Sequence, residues 1–389
     1  MHSIVILGGN FAGISTAQYL LKRVLPLVNN ESSHHKVTLV SPSAHTFFKV
    51  AVPRVLVSDK VSNHMPFASI PDAFLQYNSD EFIFIQGEAV RIDETAKTVS
   101  IKNVGTMNRL IGYDSLVIAT GTTSASAVWT LHGNHDMTLS AFQDIQNRLP
   151  TSKTILIAGG GPVGVETAGE IASQHEDKEV ILLSGGARLL PRLQNEKMAT
   201  RAEQQLAALN VQTLHGIRVK CSTVAANKMS LVLSDGTTRS VDLYIDATGG
   251  IPNTGFLPPS WLDGSKHVIV NGTTLRATNA PEGVYAIGDV ASYSKGGIPD
   301  AVWPVPALGY SIWSDLHVAT IMDGSVKADA PQLKEAKYKQ IQTDMSIVPI
   351  GPSGGVGALF GWAVPSWLVW LLKSRTFMVE NAPNVATGY

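Results

Sequence analysis

The stretch GGNFAG near the start of the sequence has the residue types, and nearly the spacing, of a pyrophosphate-binding turn. In the usual fingerprint, G-x-G-x-x-G, glycines let a strand turn sharply into a helix whose N-terminal amides bind phosphate. Gly8, Gly9 and Gly13 are present, and Asn10 stands at the middle glycine position. Asparagine tolerates left-handed backbone, so we expect the turn to survive with a slightly displaced phosphate. The carboxylate that usually ends the second strand is missing, which leaves the Ser41 hydroxyl to contact the ribose.

A second stretch, GGGPVG, carries the complete fingerprint at Gly159, Gly161 and Gly164, about 150 residues after the first. Each stretch lies between a short apolar run and a helical pattern, and another apolar run follows, as in a βαβ unit. The apolar runs are residues 4–7, 37–40, 155–158 and 180–183. One such match is common by chance, whereas two in strand–turn–helix context predict two dinucleotide-binding domains in an α/β fold.

The composition limits the classes of function. The chain has 389 residues, of which 44% are hydrophobic and 16% charged, and its net charge is −1. The length predicts two or three domains, and the charge balance gives no electrostatic reason to expect nucleic acid as a partner. Cys221 is the only cysteine, which excludes an internal disulfide, a C-x-x-C redox pair and a cysteine-based metal site, and we expect no metal. Only three residues precede the first apolar run, so we expect no targeting peptide and a cytoplasmic location.

Three further stretches accompany the glycine turns and complete a family pattern. YDSLVIATGTT and VDLYIDATGGIPN each end an apolar run in Ala-Thr-Gly, the first at Thr120 and Gly121, and GVYAIGDVA contains Gly288 and Asp289. In this order, over residues 4 to about 291, the sequence resembles the two-dinucleotide-binding-domain flavoprotein oxidoreductases. The resemblance implies FAD at the first turn, NADPH or NADH at the second, and a bond from Asp289 to the ribityl chain. The alternative for Asp289 is a helix N-cap.

Two stretches outside the glycine turns narrow the resemblance. The tail VGALFGWAVPSWLVWLLKSRTFMVE and the stretch SAHTFFKVAVPR are similar to the apoptosis-inducing-factor-like group associated with mitochondria, which includes the ferroptosis suppressor proteins. More distantly, they resemble type II NADH:quinone dehydrogenases. This similarity implies that hydride passes from nicotinamide to flavin N5, and that two electrons then pass to a quinone-like acceptor.

Four charged residues receive roles from the same resemblance. Glu166 falls where the family places a glutamate at the flavin–nicotinamide junction, and its alternative is a carboxylate favoured by the helix dipole. Lys373 matches a lysine on the acceptor side, where a cation stabilises reduced flavin or a quinone oxygen. The alternative for Lys373 is a solvated lysine at a helix C-terminus. Arg54 and Lys49 are expected to approach FAD, with surface charge as their alternative.

The residues after the apolar run 180–183 indicate whether NADPH or NADH binds. An acidic residue there would bind the ribose of NADH and repel the 2′-phosphate of NADPH. The sequence instead has Ser184 followed by two glycines, with Arg188 close behind. Arg188 can bind phosphate with two parallel hydrogen bonds, so we expect NADPH to be accepted at least as well as NADH. The alternative is that Arg188 covers its own loop.

The tail raises the question of membrane contact. Residues 356–372 carry no charge and include Trp362, Trp367 and Trp370, yet the run is shorter than a bilayer span of ~20 residues. We expect a short helix over residues 366–374, after Pro365. It packs in the core beneath the flavin, which is the commoner fate of so short an apolar run, or it makes peripheral contact with a membrane that admits a lipophilic quinone.

We therefore predict an α/β fold with two Rossmann-like dinucleotide-binding domains. Residues 1–122 and 255–325 form the FAD-binding domain, and the NAD(P)H-binding domain, residues 123–254, is inserted into it. Residues 326–389 form a C-terminal α+β portion that shapes the acceptor site, with a strand near 346–350.

Three classes of function are compatible with these residues. The first is an FAD-dependent NAD(P)H:quinone oxidoreductase. The second is a flavoenzyme of specialised metabolism that acts on a particular small molecule, with Met378 and the Trp-rich tail shaping its pocket. The third is a flavoprotein that senses redox state or binds a partner. Turnover with simple quinones separates the first two, and slow or absent reoxidation favours the third. The oligomeric state is open.

Overall fold

The computed structural model describes residues 2–29, 34–103, 108–225, 228–322 and 332–388. Its strands in chain order are β1 (His2–Leu7), β2 (His35–Ser41), β3 (His45–Phe47), β4 (Phe67–Ser69), β5 (Phe82–Asp93), β6 (Thr98–Asn103), β7 (Arg109–Gly112), β8 (Ser115–Ile118), β9 (Thr122–Thr123), β10 (Thr154–Ala158), β11 (Glu179–Ser184), β12 (Val211–His215), β13 (Val219–Ala225), β14 (Lys228–Leu233), β15 (Thr238–Val241), β16 (Leu243–Asp246), β17 (Ile251–Pro252), β18 (Val284–Ala286), β19 (Ser346–Pro349), β20 (Gly355–Leu359) and β21 (Trp362–Ala363).

The α-helices of the described residues follow the same order. They are α1 (Phe11–Tyr19), α2 (Leu25–Val28), α3 (Val52–Val55), α4 (His135–Arg148), α5 (Pro162–Gln174), α6 (Glu196–Ala208), α7 (Ile298–Val302), α8 (Val305–Met322), α9 (Ser366–Val369) and α10 (Ala382–Thr387). A π-helical turn, Leu20–Val24, joins α1 to α2, and another, Trp370–Ser374, continues α9.

The larger sheet has the order β18–β8–β1–β2–β5–β6–β7. β1 pairs in parallel with β2 and β8, and β8 pairs in parallel with β18. Ile4, Val5 and Ile6 of β1 are fully buried, as expected for an interior parallel strand that is covered on both faces. The chain leaves this sheet after β8, adds β9 to β17 elsewhere, and returns with β18.

The second parallel sheet has the order β12–β11–β10–β16. One face packs against the antiparallel sheet β13–β14–β15 through an apolar cluster that includes Leu156, Ile181 and Leu231. The α/β fold with two parallel sheets that the sequence predicts is confirmed. β9 pairs with β17 where the chain enters and leaves this half. Two predicted domain limits, after residues 122 and 254, lie at or next to this pair and remain predictions.

The C-terminal part contains the antiparallel sheet β19–β20–β21, followed by α9 and its π-helical turn. The strand and the helix predicted for this part are confirmed, the helix as a continuous run from Ser366 to Ser374. α10 then packs against α1 of the first half. The predicted limit between residues 325 and 326 lies outside the described residues.

Candidate active site

The first glycine turn connects β1 to α1 and has no room for side chains. Gly8 has φ +119°, and a Cβ atom there would overlap the carbonyl oxygen of Ala119 at the end of β8. A Cβ atom at Gly9 would lie 2.5 Å from Cβ of Ser41, and one at Gly13 would overlap the carbonyl oxygen of Gly8. Glycine is therefore required at all three positions, which keeps backbone amides exposed at the start of α1.

Asn10 keeps the turn intact, but not for the reason that the sequence suggests. Its backbone is extended, with φ −135° and ψ −159°, so left-handed tolerance is irrelevant and that expectation was wrong. The side chain binds the backbone of Phe47 in β3, since Nδ2 donates to the carbonyl oxygen and Oδ1 accepts from the amide, both at 3.1 Å. Asn10 thus ties the turn to β3.

Ser41 ends β2 directly against Gly9. It is buried, and its hydroxyl oxygen accepts from the backbone amide of Ser43 at 3.3 Å. The role of Ser41 toward a ribose remains a prediction.

The second glycine turn repeats this construction between β10 and α5. Gly159 has φ +133°, and a Cβ atom there would overlap the carbonyl oxygen of Ala247, just past the end of β16. A Cβ atom at Gly160 would lie 2.6 Å from the hydroxyl oxygen of Ser184, and one at Gly164 would overlap the carbonyl oxygen of Gly159. The two turns therefore sit in equivalent places on the two sheets.

The turns differ at their middle positions. Where the first turn carries Asn10, the second carries Gly161, and no neighbouring heavy atom lies within 4 Å of a Cβ built there. This open space beside the N-terminus of α5 is suited to a pyrophosphate that approaches the backbone. The glycine cradles of both turns fit a dinucleotide.

The Gly-Asp pair follows β18 and faces the first turn. The amide of Gly288 donates to the hydroxyl of Tyr293 at 2.9 Å, and Oδ2 of Asp289 lies 3.5 Å from Nζ of Lys49. The next helix, α7, begins only at Ile298, so Asp289 is not an N-cap and that alternative is excluded. Lys49 and Asp289 are thus brought together as an ion pair, and their roles toward FAD remain predictions.

The first Ala-Thr-Gly stretch, just after β8, is hydrogen-bonded to the segment that follows β17. The hydroxyl of Thr120 donates to the carbonyl oxygen of Asn253, and the amide Nδ2 of Asn253 donates to that of Thr120, both at 2.8 Å. Gly121 has φ +63°. Asn253 was not singled out from the sequence, because nothing local marks a partner 133 residues away.

Glu166 and Lys373 form a buried ion pair. Nζ of Lys373 lies 2.5 Å from Oε1 of Glu166, and the side chains are only 13% and 4% exposed. Burial raises the pKa of Glu166 to about 7, and the ammonium of Lys373 opposes that rise. Lys373 is therefore not a solvated lysine, and Glu166 is more than a carboxylate beside a helix dipole.

Arg54 forms an ion pair with a different carboxylate, that of Glu170. Its guanidinium binds both carboxylate oxygens of Glu170 through Nε and Nη2, and Nη2 also donates to the carbonyl oxygen of Ser374 at 2.9 Å. Burial raises the pKa of Glu170, which Arg54 counteracts. The guanidinium carbon of Arg54 lies 4.9 Å from the ring centre of Phe377. Arg54 is therefore not a surface charge, and its approach to FAD remains a prediction. Glu170 was missed, although its position four residues after Glu166 places both on one helix face.

Arg188 folds back on its own loop. Nη2 donates to the carbonyl oxygen of Leu193 at 2.8 Å, and Nε lies 3.9 Å from a carboxylate oxygen of Glu196. The buried hydroxyl of Ser184 donates to the carbonyl oxygen of Arg188 at 2.9 Å. The geometry matches the alternative in which Arg188 covers its loop, and it does not place Arg188 in a phosphate site.

The apolar helix after Pro365 is largely exposed. Trp367 is 65% and Trp370 39% exposed, and Trp362 on β21 is 81% exposed, whereas Val369 is fully buried. The expectation that this helix packs in the core was therefore wrong: one side faces the protein and the other faces outward. Among the described residues, no helix combines the length and the apolar character that crossing a bilayer requires.

Comparison with known proteins agrees with this geometry. The family model described as pyridine nucleotide-disulphide oxidoreductase matches residues 2–308. The chain is 34% identical to oxidoreductase ptaL of Pestalotiopsis fici, over 100% of this chain and 99% of that one. It is 25% identical to human ferroptosis suppressor protein 1, over 97% of this chain and 94% of that one, which confirms the resemblance to the apoptosis-inducing-factor-like group.

A solved structure supports the fold independently. The structure of NDH2 from Plasmodium falciparum in complex with NADH superimposes with a TM-score of 0.66 at 16% identity, covering 98% of this chain and 97% of that one. The sheets, the two glycine cradles and these similarities together show that the chain belongs to the pyridine nucleotide-disulphide oxidoreductase family, with FAD and NADPH or NADH as its cofactors.

Proposed function

We propose that this oxidoreductase transfers electrons from NADPH or NADH to a quinone-like acceptor. Bound FAD supplies the redox chemistry, since it takes two electrons from a nicotinamide and passes them on. The proposed FAD-binding residues are Gly8, Gly9, Asn10, Gly13, Ser41, Thr120, Gly121, Gly288 and Asp289, and the proposed nicotinamide-binding residues are Gly159, Gly161, Gly164 and Ser184.

The observation that carries the proposal is the buried pair of Glu166 and Lys373. The ammonium of Lys373 can stabilise negative charge on an acceptor oxygen, an effect that is strong where water is excluded. Glu166, with its pKa raised to about 7, can hold or release a proton near neutral pH. Reduction of a quinone to a quinol requires two protons as well as two electrons, and this pair can contribute one of them.

The surface beside Lys373 suits a lipophilic acceptor. Trp370, Leu371 and Leu372 immediately precede Lys373 and are 39%, 47% and 41% exposed. Exposed tryptophan and leucine on a short helix are typical of proteins that rest on a membrane surface. We therefore include peripheral membrane contact of an otherwise cytoplasmic protein in the proposal.

A second candidate is an enzyme that reduces one particular small molecule. The relative that covers the whole chain at 34% identity bears only the name oxidoreductase, and the likeness to ferroptosis suppressor protein 1 is lower, at 25%. Phe377 and Met378 lie beside the ion pairs with left-handed backbones, φ 51° and 56°, so this end of the site has a specific shape. Side chains held in fixed positions beside the cations would favour an acceptor that fits them.

The visible spectrum of the purified, FAD-loaded protein tests the proposal under anaerobic conditions. NADPH or NADH is added first and a short-chain quinone second. We expect the flavin absorbance to bleach with the nicotinamide and to recover with the quinone. Bleaching without recovery would replace the quinone by another acceptor, or by a redox-sensing role if oxygen also fails to restore the absorbance. A folded protein that retains no FAD would overturn the proposed function.

A further inference from the structure

The end of β11 carries no acidic group that would select NADH. β11 ends at the buried Ser184, whose hydroxyl is bonded to the loop that follows, and the next two residues are Gly185 and Gly186. In dinucleotide-binding domains this strand end lies next to the adenosine ribose, where an acidic residue favours NADH and an arginine favours NADPH. The group that meets the ribose must therefore come from elsewhere in the fold.

The segment after β12 is fastened to this strand end by backbone hydrogen bonds. The amide of Gly216 donates to the carbonyl oxygen of Gly186 at 3.0 Å, and that of Ile217 donates to the carbonyl oxygen of Ser184 at 3.2 Å. The amide of the next residue, Arg218, donates to the hydroxyl of Ser234 at 3.0 Å. These bonds fix the backbone of Arg218 beside the end of β11.

The guanidinium of Arg218 covers Gly185. A Cβ atom at Gly185 would lie 2.9 Å from Nε and 3.1 Å from Cζ of Arg218, and Nη2 donates to the carbonyl oxygen of Gly185 at 3.2 Å. Arg218 is exposed, and no carboxylate lies within 4.0 Å of its guanidinium in the part of the chain that the structure describes. Arg218 thus presents an uncompensated cation at the strand end, and glycine at 185 leaves room for it.

Arg188 differs in having a carboxylate beside it and a buried guanidinium nitrogen. Its Nη2 is bonded to carbonyl oxygens of its own loop, Nε faces Glu196, and Nη1 is buried. A nucleotide phosphate that arrives from solvent would have to displace these contacts to reach it. Arg218 would give up at most its one bond to the carbonyl oxygen of Gly185.

We propose that Arg218 binds the 2′-phosphate of NADPH and makes NADPH the favoured nucleotide. This rests on the proposed function, because it assumes that the second glycine turn holds the nicotinamide nucleotide. A guanidinium forms short charge-assisted hydrogen bonds to phosphate oxygens. NADH has no anion at this position and gains nothing from them. The selecting arginine thus follows the third strand of the unit, not the second.

Binding of two fragments to the full-length, FAD-loaded protein tests this by titration calorimetry. 2′,5′-ADP carries the 2′-phosphate and 5′-AMP lacks it, and neither requires flavin reduction or an electron acceptor. We expect the wild type to bind 2′,5′-ADP more tightly. R218A should weaken 2′,5′-ADP roughly tenfold or more and leave 5′-AMP within about twofold. R218K should retain only part of the preference, because lysine cannot form the forked contact.

Three further variants sharpen the test. G185A places a Cβ atom against the guanidinium, so it should lower the preference for 2′,5′-ADP in the same direction as R218A. R188A and K220A remove neighbouring cations and should leave the preference unchanged. The proposal is overturned if R218A keeps the wild-type preference or if R188A abolishes it. Equal binding of both fragments to the wild type would overturn this proposal alone, whereas binding of neither would overturn the nicotinamide site in the proposed function as well.

Discussion

Glu166 and Glu170 lie one helical turn apart on α5, and each carboxylate binds a cation from a different part of the chain. Glu166 binds Lys373, which lies 207 residues further along, and Glu170 binds Arg54, which precedes it by 116 residues. Both carboxylates are almost completely buried. A single helix face therefore joins the half that contains the second glycine turn to α3 of the first half and to the C-terminal segment.

Replacing Glu166 with glutamine should reduce the dependence of stability on pH. The pKa of Glu166 is raised from 4.5 to about 7 in the folded state, so between these values the folded protein holds a proton that the unfolded chain has released. The free energy of unfolding therefore falls as pH rises from 4.5 to 7, on the order of 3 kcal/mol for this group, and its contribution is constant above that. Urea unfolding should show the wild type losing stability over this window relative to E166Q.

The exposed Glu176, just beyond the end of α5, supplies the control for that experiment. E176Q should follow the wild-type pH profile closely, because its carboxylate is solvated in both states. If E166Q and the wild type have parallel profiles between pH 4.5 and 7, the proton on Glu166 is absent.

Replacing Lys373 alone should destabilise the protein more than replacing Lys373 and Glu166 together. Above pH 7, where Glu166 is ionised, K373M leaves its carboxylate buried without a cation, and breaking a buried ion pair in this way costs about 3–5 kcal/mol. The double variant E166Q/K373M should regain most of the loss. Urea unfolding measures all three proteins, and stopped-flow reoxidation by a short-chain quinone should slow in both variants that lack Lys373.

Arg375 provides a matched cation for this series, since it is two residues away and exposed. R375A should change the free energy of unfolding by no more than about 0.5 kcal/mol. A double variant as unstable as K373M would mean that the loss in K373M does not come from an unpaired Glu166 carboxylate.

Restoring the glycine fingerprint at Asn10 should weaken the first turn. N10G removes two hydrogen bonds to the backbone of Phe47 and adds unfolded-state flexibility, which together cost about 1–3 kcal/mol. Thermal unfolding and the fraction of FAD retained after gel filtration should both decrease. An increase in either would mean that the phosphate needs more space than Asn10 leaves.

The reciprocal change at Gly161 should act on ligand binding without harming the fold. A side chain there meets no heavy atom within 4 Å and the backbone φ is −79°, so G161N should unfold like the wild type. It should weaken nicotinamide nucleotide binding, because it fills the space in front of the helix N-terminus. Fluorescence titration with NADPH measures the effect, and unchanged affinity would place the pyrophosphate elsewhere.

Replacing the exposed tryptophans should weaken membrane binding and leave the free energy of unfolding unchanged. W362S/W367S removes side chains that are 81% and 65% exposed, so the free energy of unfolding should stay within about 0.5 kcal/mol. Co-sedimentation with phosphatidylcholine vesicles should fall in this variant. V369A, on the buried side of the same helix, is the control that should lose stability and keep vesicle binding. A wild type that does not sediment with vesicles would contradict the membrane contact.

Sequence spacing predicted the two turns because both units repeat the same contacts. Gly13 and Gly164 are required by the carbonyl oxygens of Gly8 and Gly159 in the same turn. Gly8 and Gly159 are required by carbonyl oxygens just past the neighbouring parallel strands β8 and β16. The conformation of Asn10 could not be predicted, because it depends on Phe47 in a separate strand. The ion pairs of α5 join residues more than a hundred positions apart, for which a single sequence carries no signal.

The exposure of the Trp-rich helix, residues 366–374, could not be predicted for a different reason. Its protein-facing side carries the polar residues Lys373 and Ser374, which bond to Glu166 and Gly351, while its tryptophans face outward, so the hydrophobic pattern points to the wrong face.

The role of Arg218 could not be predicted from the sequence, because Arg218 does not follow β11, the second strand of its unit, but the strand after it. The pairing of β11 with β12 places Ser184 opposite His215. This pairing brings the loop after β12, which contains Arg218, to the end of β11.

The pairing of β9 with β17 marks the place where the chain passes between the two parallel sheets. Thr122 and Thr123 on the way out lie against Pro252 and Ile251 on the way back. The two ion pairs on α5 tie the second parallel sheet's helix to α3 and to the C-terminal segment. Separating α5 from these partners would expose two carboxylates and two cations at once, so we expect ligand exchange to leave both ion pairs in place.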